Sequence, residues 1–293
     1  MNKHKKEWYT VKKKMLFIVS IIFMLSVLVG STALASSNRI QEFARLKYDG
    51  EKVWTVGECW DGMPFAYGNV EVRQLPYGMQ NQGKIYKFCF YNGRIYYLTG
   101  QADYDAPEKI YSCNAWGGDN VLIADGVSPY SLVYIVDNCL YYSAYESSIY
   151  TEYKGYTGGI YKINLGNYSW QCLSTGGTYL LYCDGEYVYF DTYDGNCYIM
   201  DTNGNNVQWS NGHLDEFRQS YYKICGNYVY YERGSSIYRK LKDIEVTGSY
   251  FMSSGISSDD YFIIEDVREN YVVYYVPIYG YYGNSAKVYV KKF

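Results

Sequence analysis

Histidine is nearly absent from the sequence. The chain has two histidines, and His4 lies in a basic N-terminal segment, so His213 is the only one in the rest of the chain. A metal site built on several histidines is therefore excluded, and a Ser-His-Asp arrangement would have to use His213. Because His213 lies in a polar stretch, residues 211–215, we expect a surface side chain. The sequence predicts no catalytic residue, no metal site and no cofactor.

Proline and phosphate-binding motifs are also scarce. The chain has only five prolines, and it contains no glycine-rich phosphate loop or dinucleotide fingerprint, which argues against nucleotide-dependent enzymes. No C-x-x-C pair occurs among the eight cysteines. Cys183 and Cys225 occupy matching places in an internal repeat described below, which suggests buried, small apolar residues. We expect mostly free thiols, although an exported protein could form disulfides.

Long apolar runs are confined to the N-terminus. Six lysines between residues 3 and 14 precede an uncharged run, residues 16–29, and the pattern Ala33-Leu34-Ala35 follows. This order is typical of a secretory signal peptide. A retained anchor is the competing interpretation, but the run of 14 residues is shorter than the roughly 20 that cross a bilayer as a helix. We predict a signal peptide over residues 1–35 and a secreted or cell-surface protein over residues 36–293.

The chain is acidic once the signal peptide is removed. The remaining chain has 21 basic and 29 acidic residues, a net charge of −8. A surface of this sign repels phosphate groups, so nucleic acid is excluded as a partner and binding to anionic lipid is disfavoured. We expect a monomer with no membrane contact beyond the signal peptide.

Tyrosine, in contrast, is abundant, and it marks an internal repeat. The chain has 41 tyrosines, and a turn, an aliphatic residue and two aromatics recur, as in N-G-R-I-Y-Y at residues 92–97. An apolar segment precedes each turn, and an aliphatic–tyrosine pair follows the aromatics. Steps of 42, 45, 48, 41 and 44 residues separate the first aromatics of the six copies, which are Trp54, Tyr96, Tyr141, Tyr189, Tyr230 and Tyr274. The period fits one four-stranded antiparallel blade of a β-propeller, whereas a solenoid repeat of about 20 residues would be too short.

The repeat also resembles a known group of domains. Aliphatic–aromatic–aromatic strings followed by I-Y-K-I-N, residues 160–164, are similar to the YWTD-type six-bladed propellers of low-density-lipoprotein-receptor relatives and of exported bacterial proteins. The W-T core survives at Trp54-Thr55, whereas the aspartate that ends the family tetrapeptide is mostly missing. The resemblance covers nearly all of residues 40–293 and implies a six-bladed propeller with a binding role. It transfers no catalytic residue.

The last repeat lacks a fourth strand. Only four residues follow its third-strand pair, Val288-Tyr289, and an open ring would leave an unpaired sheet edge. We therefore predict an all-β fold of six four-stranded blades in which residues 37–41 supply the missing outer strand of the sixth blade.

Long connections on one side of the predicted ring form the candidate site, the long-loop face. The connections between second and third strands are long in repeats 6, 1, 2 and 3, and they carry aromatic and acidic residues. Such residues suit sugar rings and hydroxyls, and they suit protein partners equally well. We predict binding of a glycan or an extracellular protein by Trp60, Asp61, Tyr104, Tyr145, Tyr150, Tyr153, Tyr156, Tyr279, Tyr281 and Tyr282.

Carboxylates leave one enzymatic alternative to a non-catalytic binding protein, a propeller glycoside hydrolase or lyase. Glycoside hydrolysis needs two carboxylates at a suitable separation, and the candidate pairs are Asp103 with Asp105, Asp215 with Glu216, and Asp259 with Asp260. Adjacent acidic residues are more typical of solvated loops. Asp201, Asn203 and Asn205 imitate the start of a calcium loop, but they fall between a third and a fourth strand, where we predict a turn.

Overall fold

The described part of the chain is built of β-strands. The computed structural model describes residues 40–59, 61–100, 107–128, 131–144, 158–175, 178–192, 195–210, 222–241, 248–257, 261–280 and 283–293. These residues form 24 strands and one 3-10 helix, Tyr77–Gln82. No helix among them is long and apolar enough to cross a membrane. The predicted signal peptide lies outside the described residues.

The strands follow the repeats of the sequence. Repeat 1 and the segment before it contain β1 (Ile40–Glu42), β2 (Leu46–Tyr48), β3 (Val53–Thr55), β4 (Phe65–Tyr67) and β5 (Val72–Gln74). Repeat 2 contains β6 (Lys84–Tyr91), β7 (Arg94–Gly100), β8 (Glu108–Asn114) and β9 (Val121–Val127), and repeat 3 contains β10 (Tyr134–Val136), β11 (Cys139–Ala144), β12 (Gly159–Asn164) and β13 (Trp170–Thr175). Repeat 4 contains β14 (Thr178–Cys183), β15 (Tyr187–Thr192), β16 (Cys197–Asp201) and β17 (Gln208–Trp209). Repeat 5 contains β18 (Lys223–Cys225), β19 (Tyr228–Arg233), β20 (Ser236–Leu241) and β21 (Ser249–Ser253), and repeat 6 contains β22 (Ile263–Arg268), β23 (Tyr271–Ile278) and β24 (Ser285–Lys292).

Repeats 2 to 5 are antiparallel meanders of four consecutive strands, which confirms the predicted all-β class. The turn between β6 and β7 consists of Asn92 and Gly93, whose φ angles are 46° and 73°. Positive φ at both residues is the backbone of the tight hairpin that Asn-Gly favours. The turn predicted at this dipeptide is therefore confirmed, and it forms a hairpin.

Aromatic ring pairs join the second and third strands of five repeats; four are stacked and the Tyr231–Tyr238 pair is tilted. Their centroids are 5.5 to 5.9 Å apart, and the pairs are Tyr97–Tyr111, Tyr142–Tyr161, Phe190–Tyr198, Tyr231–Tyr238 and Tyr274–Tyr289. Each such pair contributes about 0.5–1.5 kcal/mol beyond its buried area. Within each of these repeats, one residue of the aromatic pair thus contacts the tyrosine of the aliphatic–tyrosine pair.

The sixth copy of the repeat is displaced by one residue. In repeat 2, Cys89 lies opposite Tyr96, and the equivalent pair in repeat 6 is Asp266 with Val273. Val273 therefore occupies the place of the first aromatic, and Tyr274 takes the place of the second, stacking one.

The first strands of the repeats meet at the centre of the molecule. β1 pairs with β10, and Ala44 bridges to Phe88 of β6. β2 contacts β6 and β22, and β18 contacts β22. Residues 40–48 therefore lie among the first strands of repeats 2, 3 and 6, where Phe43, Arg45 and Lys47 are buried.

A three-residue strand of repeat 1 completes repeat 6. The outer edge of β24 pairs in parallel with β4, with Ala286 opposite Phe65. The prediction that residues 37–41 supply this strand is wrong, because residues 40–42 pair with β10. The central position buries Phe43, which is 1% exposed and could not be covered at an outer edge. β3 and β5 are parallel neighbours. The segment between them includes β4, which pairs with β24.

Replacing Tyr111 by leucine is expected to lower the free energy of unfolding by about 0.5–1.5 kcal/mol, because leucine remains apolar but loses the ring stacking. Urea denaturation measures the change. Tyr67→Leu is the control, since Tyr67 is 68% exposed and such surface changes alter stability by less than about 0.5 kcal/mol. Equal effects of the two substitutions would contradict a role for the stacked pair.

Candidate functional site

Two of the ten predicted binding residues, Asp61 and Tyr279, are described by the structure. The others lie outside the described residues: Trp60, Tyr104, Tyr145, Tyr150, Tyr153, Tyr156, Tyr281 and Tyr282. Within the described residues, Asp61, Tyr279 and their neighbours therefore represent the long-loop face.

Tyr261 and Tyr279 contact each other on this face, and the Asp61 carboxylate lies near enough to act on Tyr261 electrostatically, although the three residues come from different segments. The hydroxyls of Tyr261 and Tyr279 share a hydrogen bond of 3.0 Å. That hydrogen bond, burial and the Asp61 carboxylate raise the pKa of Tyr261 to about 12. The two rings are 51% and 61% exposed. The cluster thus presents two hydroxyls, a carboxylate and open ring surfaces to solvent.

Strand pairing explains how the cluster is assembled. Tyr261 precedes β22, Tyr279 follows β23, and these two strands are antiparallel neighbours. Asp61 lies between β3 and β4, and the pairing of β4 with β24 brings its segment to repeat 6. Tyr261 was not among the predicted residues because it lies in a link between repeats, whereas the predicted residues come from the connections between second and third strands.

A cavity of about 710 Å³ lies between repeats 1 and 2. Typical small-ligand sites measure about 300–1,000 Å³. The lining combines polar and apolar groups: Val56, Gly57, Glu58, Gly62, Pro64, Gln74, Leu75, Gly83, Lys84 and Ile85. Glu58 and Lys84 form an ion pair. Gly62 follows Asp61 in the chain, so the cavity adjoins the segment that carries the cluster.

Buried ion pairs lie at the centre of the molecule. Arg45 contacts Glu265, with 3.4 Å between the guanidinium nitrogen and the carboxylate oxygen. The Lys47 ammonium donates a hydrogen bond of 2.8 Å to Asp266, and Arg268 lies 3.3 Å from the same carboxylate. All five residues are buried. Each charge has a partner, which a buried ion requires.

Burial and pairing act in opposite directions on these groups. Burial lowers the pKa of Lys47, and the Asp266 carboxylate only partly opposes it. Burial alone would raise the pKa of Asp266, but Arg268 and Lys47 outweigh it, so this pKa lies below its usual value. A further pair, Lys223 with Glu42 at 2.8 Å, extends the network to repeat 5.

The repeat itself sets the position of these charges. Lys47 lies opposite Trp54, and Lys223 lies opposite Tyr230, which are both first aromatics of the repeat. Asp266 occupies the same position in repeat 6. No prediction from the sequence included this network, although charges inside the first strands, such as Glu265, Asp266 and Arg268 of β22, are a signal for it.

Glu232 is a half-buried carboxylate outside the ion pairs. Its side chain accepts a hydrogen bond of 2.7 Å from the Ile264 backbone N–H, and burial raises its pKa to about 7. The carboxylate pairs considered from the sequence, Asp103 with Asp105, Asp215 with Glu216, and Asp259 with Asp260, lie outside the described residues.

Asp201 forms the predicted turn. Its carboxylate accepts hydrogen bonds of 2.8 and 3.0 Å from the backbone N–H groups of Asn203 and Asn205 and one of 2.8 Å from the Asn206 amide. These bonds hold the pKa of Asp201 below its usual value. The turn prediction is confirmed. In the part of the chain that the structure covers, no group of three or more His, Cys, Asp or Glu residues could hold a metal ion.

All eight cysteines are described, and all are free thiols. Cys183 ends β14 and Cys225 ends β18, the matching places that the repeat predicts. Burial raises the pKa of Cys225 to about 11, so this thiol stays protonated at neutral pH.

No family model matches the chain, and no curated protein matches it. A structure of a S. cerevisiae Dbp5 variant bound to Nup159, a Gle1 variant, IP6 and ADP is similar with a TM-score of 0.33 and 10% identity, over 71% of this chain and 60% of that one. The N-terminal domain of Nup159 gives 0.31 and 11%, over 71% and 60%, and a prolyl endopeptidase gives 0.27 and 12%, over 71% and 50%. The chain thus spans 60% or less of the length of these matched chains. The neighbours are β-propeller-like folds.

Proposed function

We propose that the chain is an exported six-bladed β-propeller that binds an extracellular ligand without catalysis. Contacts between neighbouring repeats support a ring: β2 contacts β6 and β22, β14 contacts β10 and β11, and β18 contacts β22. The pairing of β4 with β24 fastens the last repeat to the first. In this proposal the protein is a secreted or cell-surface monomer.

The proposed ligand is a glycan bound at the long-loop face. The observation that carries this proposal is the exposed Tyr261–Tyr279 pair, with the Asp61 carboxylate acting on Tyr261, next to a segment that borders a cavity of ligand size. Tyrosine rings stack on the apolar faces of sugars, and their hydroxyls and the carboxylate bond to sugar hydroxyls. Glu58 and Lys84 add polar groups of both signs at the cavity wall.

Replacing Tyr279 by alanine is expected to weaken glycan binding at least about tenfold, or about 1.4 kcal/mol, because the substitution removes an exposed ring from the site. A glycan array identifies the ligand, and calorimetry compares the variants. Tyr250→Ala is the control, since Tyr250 is 58% exposed but lies on β21 of repeat 5. Equal losses would refute the site, and binding to secreted proteins but to no glycan would assign the face to a protein partner.

A second candidate function is a glycoside hydrolase or lyase, and Glu232 is the observation that favours it. A general acid must hold its proton near neutral pH, and burial raises the pKa of Glu232 into that range. Release of reducing ends from a bound polysaccharide by the natural chain, but not by Glu232→Gln, would establish this activity. Binding without release supports the non-catalytic function.

A further inference from the structure

Lys87 carries a charge without an ion-pair partner among the described residues. It lies on the inner strand β6, opposite Leu98 of β7. Lys47 and Lys223, on two other inner strands, each contact a carboxylate at 2.8 Å. Lys87 is therefore the exception within a set of inner lysines that are otherwise neutralised.

Glu108, which acts electrostatically on Lys87, has one oxygen that no described residue satisfies. It is the first residue of β8 and is only 7% exposed, yet its Oε2 has no hydrogen-bond partner in the described part of the chain. Leaving a buried polar oxygen unsatisfied is unfavourable. Native proteins rarely do so unless a water or a ligand completes the site.

Strand register places Lys87 and Glu108 on the same face of repeat 2. Lys87 pairs with Leu98, and the Thr99–Lys109 pair puts Gly100 beside Glu108. Leu98 and Gly100 are two residues apart, so they share a face of the strand. A Cβ atom at Gly100 would lie 3.2 Å from the Glu108 Cγ. The missing side chain at Gly100 therefore leaves the room that Glu108 occupies.

The surrounding charges favour an anion in this place. Burial lowers the pKa of Lys87, the positive charges of Lys223 and Arg45 lower it further, and Glu108 and Glu42 oppose them. Burial raises the pKa of Glu108, and Lys87 opposes this shift. The carboxyl group thus tends to be neutral, which leaves the Lys87 ammonium without an anion of its own in the described structure, so a bound anion would neutralise it.

We propose that Lys87 and Glu108 form a binding site for a small organic carboxylate. The Lys87 ammonium donates to the ligand carboxylate, and the protonated carboxyl group of Glu108 donates its O–H to the same group. The ligand thereby supplies the missing partner to both residues. This site is separate from the cluster of Asp61, Tyr261 and Tyr279, so its test does not depend on the proposed glycan surface.

The proposal fixes the pH dependence of binding. As pH rises, Glu108 loses the proton that it donates and Lys87 loses its charge, so carboxylate binding weakens. The affinity of the full chain for glucuronate, measured by calorimetry, is expected to fall at least about tenfold between about pH 6 and about pH 9. Acetate should follow the same trend, whereas glucose should not compete. Affinity that is constant or rises over this range would overturn the proposal.

Variants identify the two residues. At about pH 6, Lys87→Met should lose at least about tenfold in glucuronate affinity. Glu108→Gln should bind as the natural chain does, because its amide N–H replaces the O–H donor. Lys109→Met is the control, since Lys109 pairs with Asp125 at the surface. Unchanged affinity in Lys87→Met, or equal loss in Lys109→Met, would overturn the assignment. Circular dichroism verifies folding, and Glu108→Met, which lacks a donor, provides a second test through loss of affinity.

Discussion

Replacing Asp266 by asparagine should lower the free energy of unfolding by about 3–5 kcal/mol. The carboxylate faces both Lys47 and Arg268 at the centre of the molecule. Asparagine preserves the size of the side chain but removes its charge, so two buried cations remain uncompensated. Chemical denaturation with urea measures the loss.

An exposed ion pair provides the matched control. Asp119 lies 2.7 Å from Arg94 and its side chain is 63% exposed, so Asp119→Asn should cost less than about 1 kcal/mol. The double variant Lys47→Met with Asp266→Leu should recover only part of the loss: an apolar pair can replace the buried Lys47–Asp266 pair, but Arg268 remains buried without its carboxylate. Equal losses for the two aspartates would show that the buried network does not stabilise the fold.

The same aspartate predicts how stability depends on pH. Its pKa is lowered in the folded protein relative to about 3.9 in the unfolded chain. A lowered folded-state pKa contributes stability that is complete above the unfolded pKa and is lost as pH falls through the folded pKa. Urea midpoints of the natural chain and Asp266→Asn should therefore converge below about pH 4.

Replacing Gly68 by alanine should open the connection between the first and last repeats. A Cβ atom at this position would lie 2.2 Å from the Val288 carbonyl oxygen, closer than any non-bonded contact allows. The chain must move away from β24, and hydrogen bonds such as that from the Asn69 amide to Val290, at 2.9 Å, are lost with it. Such overpacking costs about 1–3 kcal/mol or more.

Hydrogen exchange locates the effect of this change. Backbone amides of β4 and β24 should exchange faster in Gly68→Ala, while those of repeat 3 should not change. Gly118→Ala is the control, because the nearest atom to its Cβ would be a flexible Asn114 side-chain nitrogen at 3.4 Å. Faster exchange at every repeat, or at none, would show that the parallel pairing is not the fastening point.

Local patterns in the sequence predicted the repeats, their hairpins and the turn at Asp201, because neighbouring residues decide these features. The closing strand could not be predicted in the same way. Phe65–Tyr67 is a three-residue strand inside a long connection, and only its partner, more than 200 residues away, makes it a strand. The same holds for Tyr261, which acquires a partner in Tyr279 only when β22 and β23 pair. The buried pairing of charges such as Lys47 could not be predicted, because their carboxylates lie at the other end of the chain.

Contacts between the two ends of the chain also set an order of events during folding. The Arg45–Glu265 and Asn69–Val290 hydrogen bonds join residues 220 and 221 positions apart. Neither bond can form before the ribosome has made the last repeat. The N-terminal segment therefore lacks these partners until synthesis is nearly complete. Contacts this distant slow folding, because the chain loses loop entropy before any contact forms. Repeats 2 to 5 pair among consecutive strands, so the contacts of residues 45 and 69 with the last repeat are expected to be among the last to form.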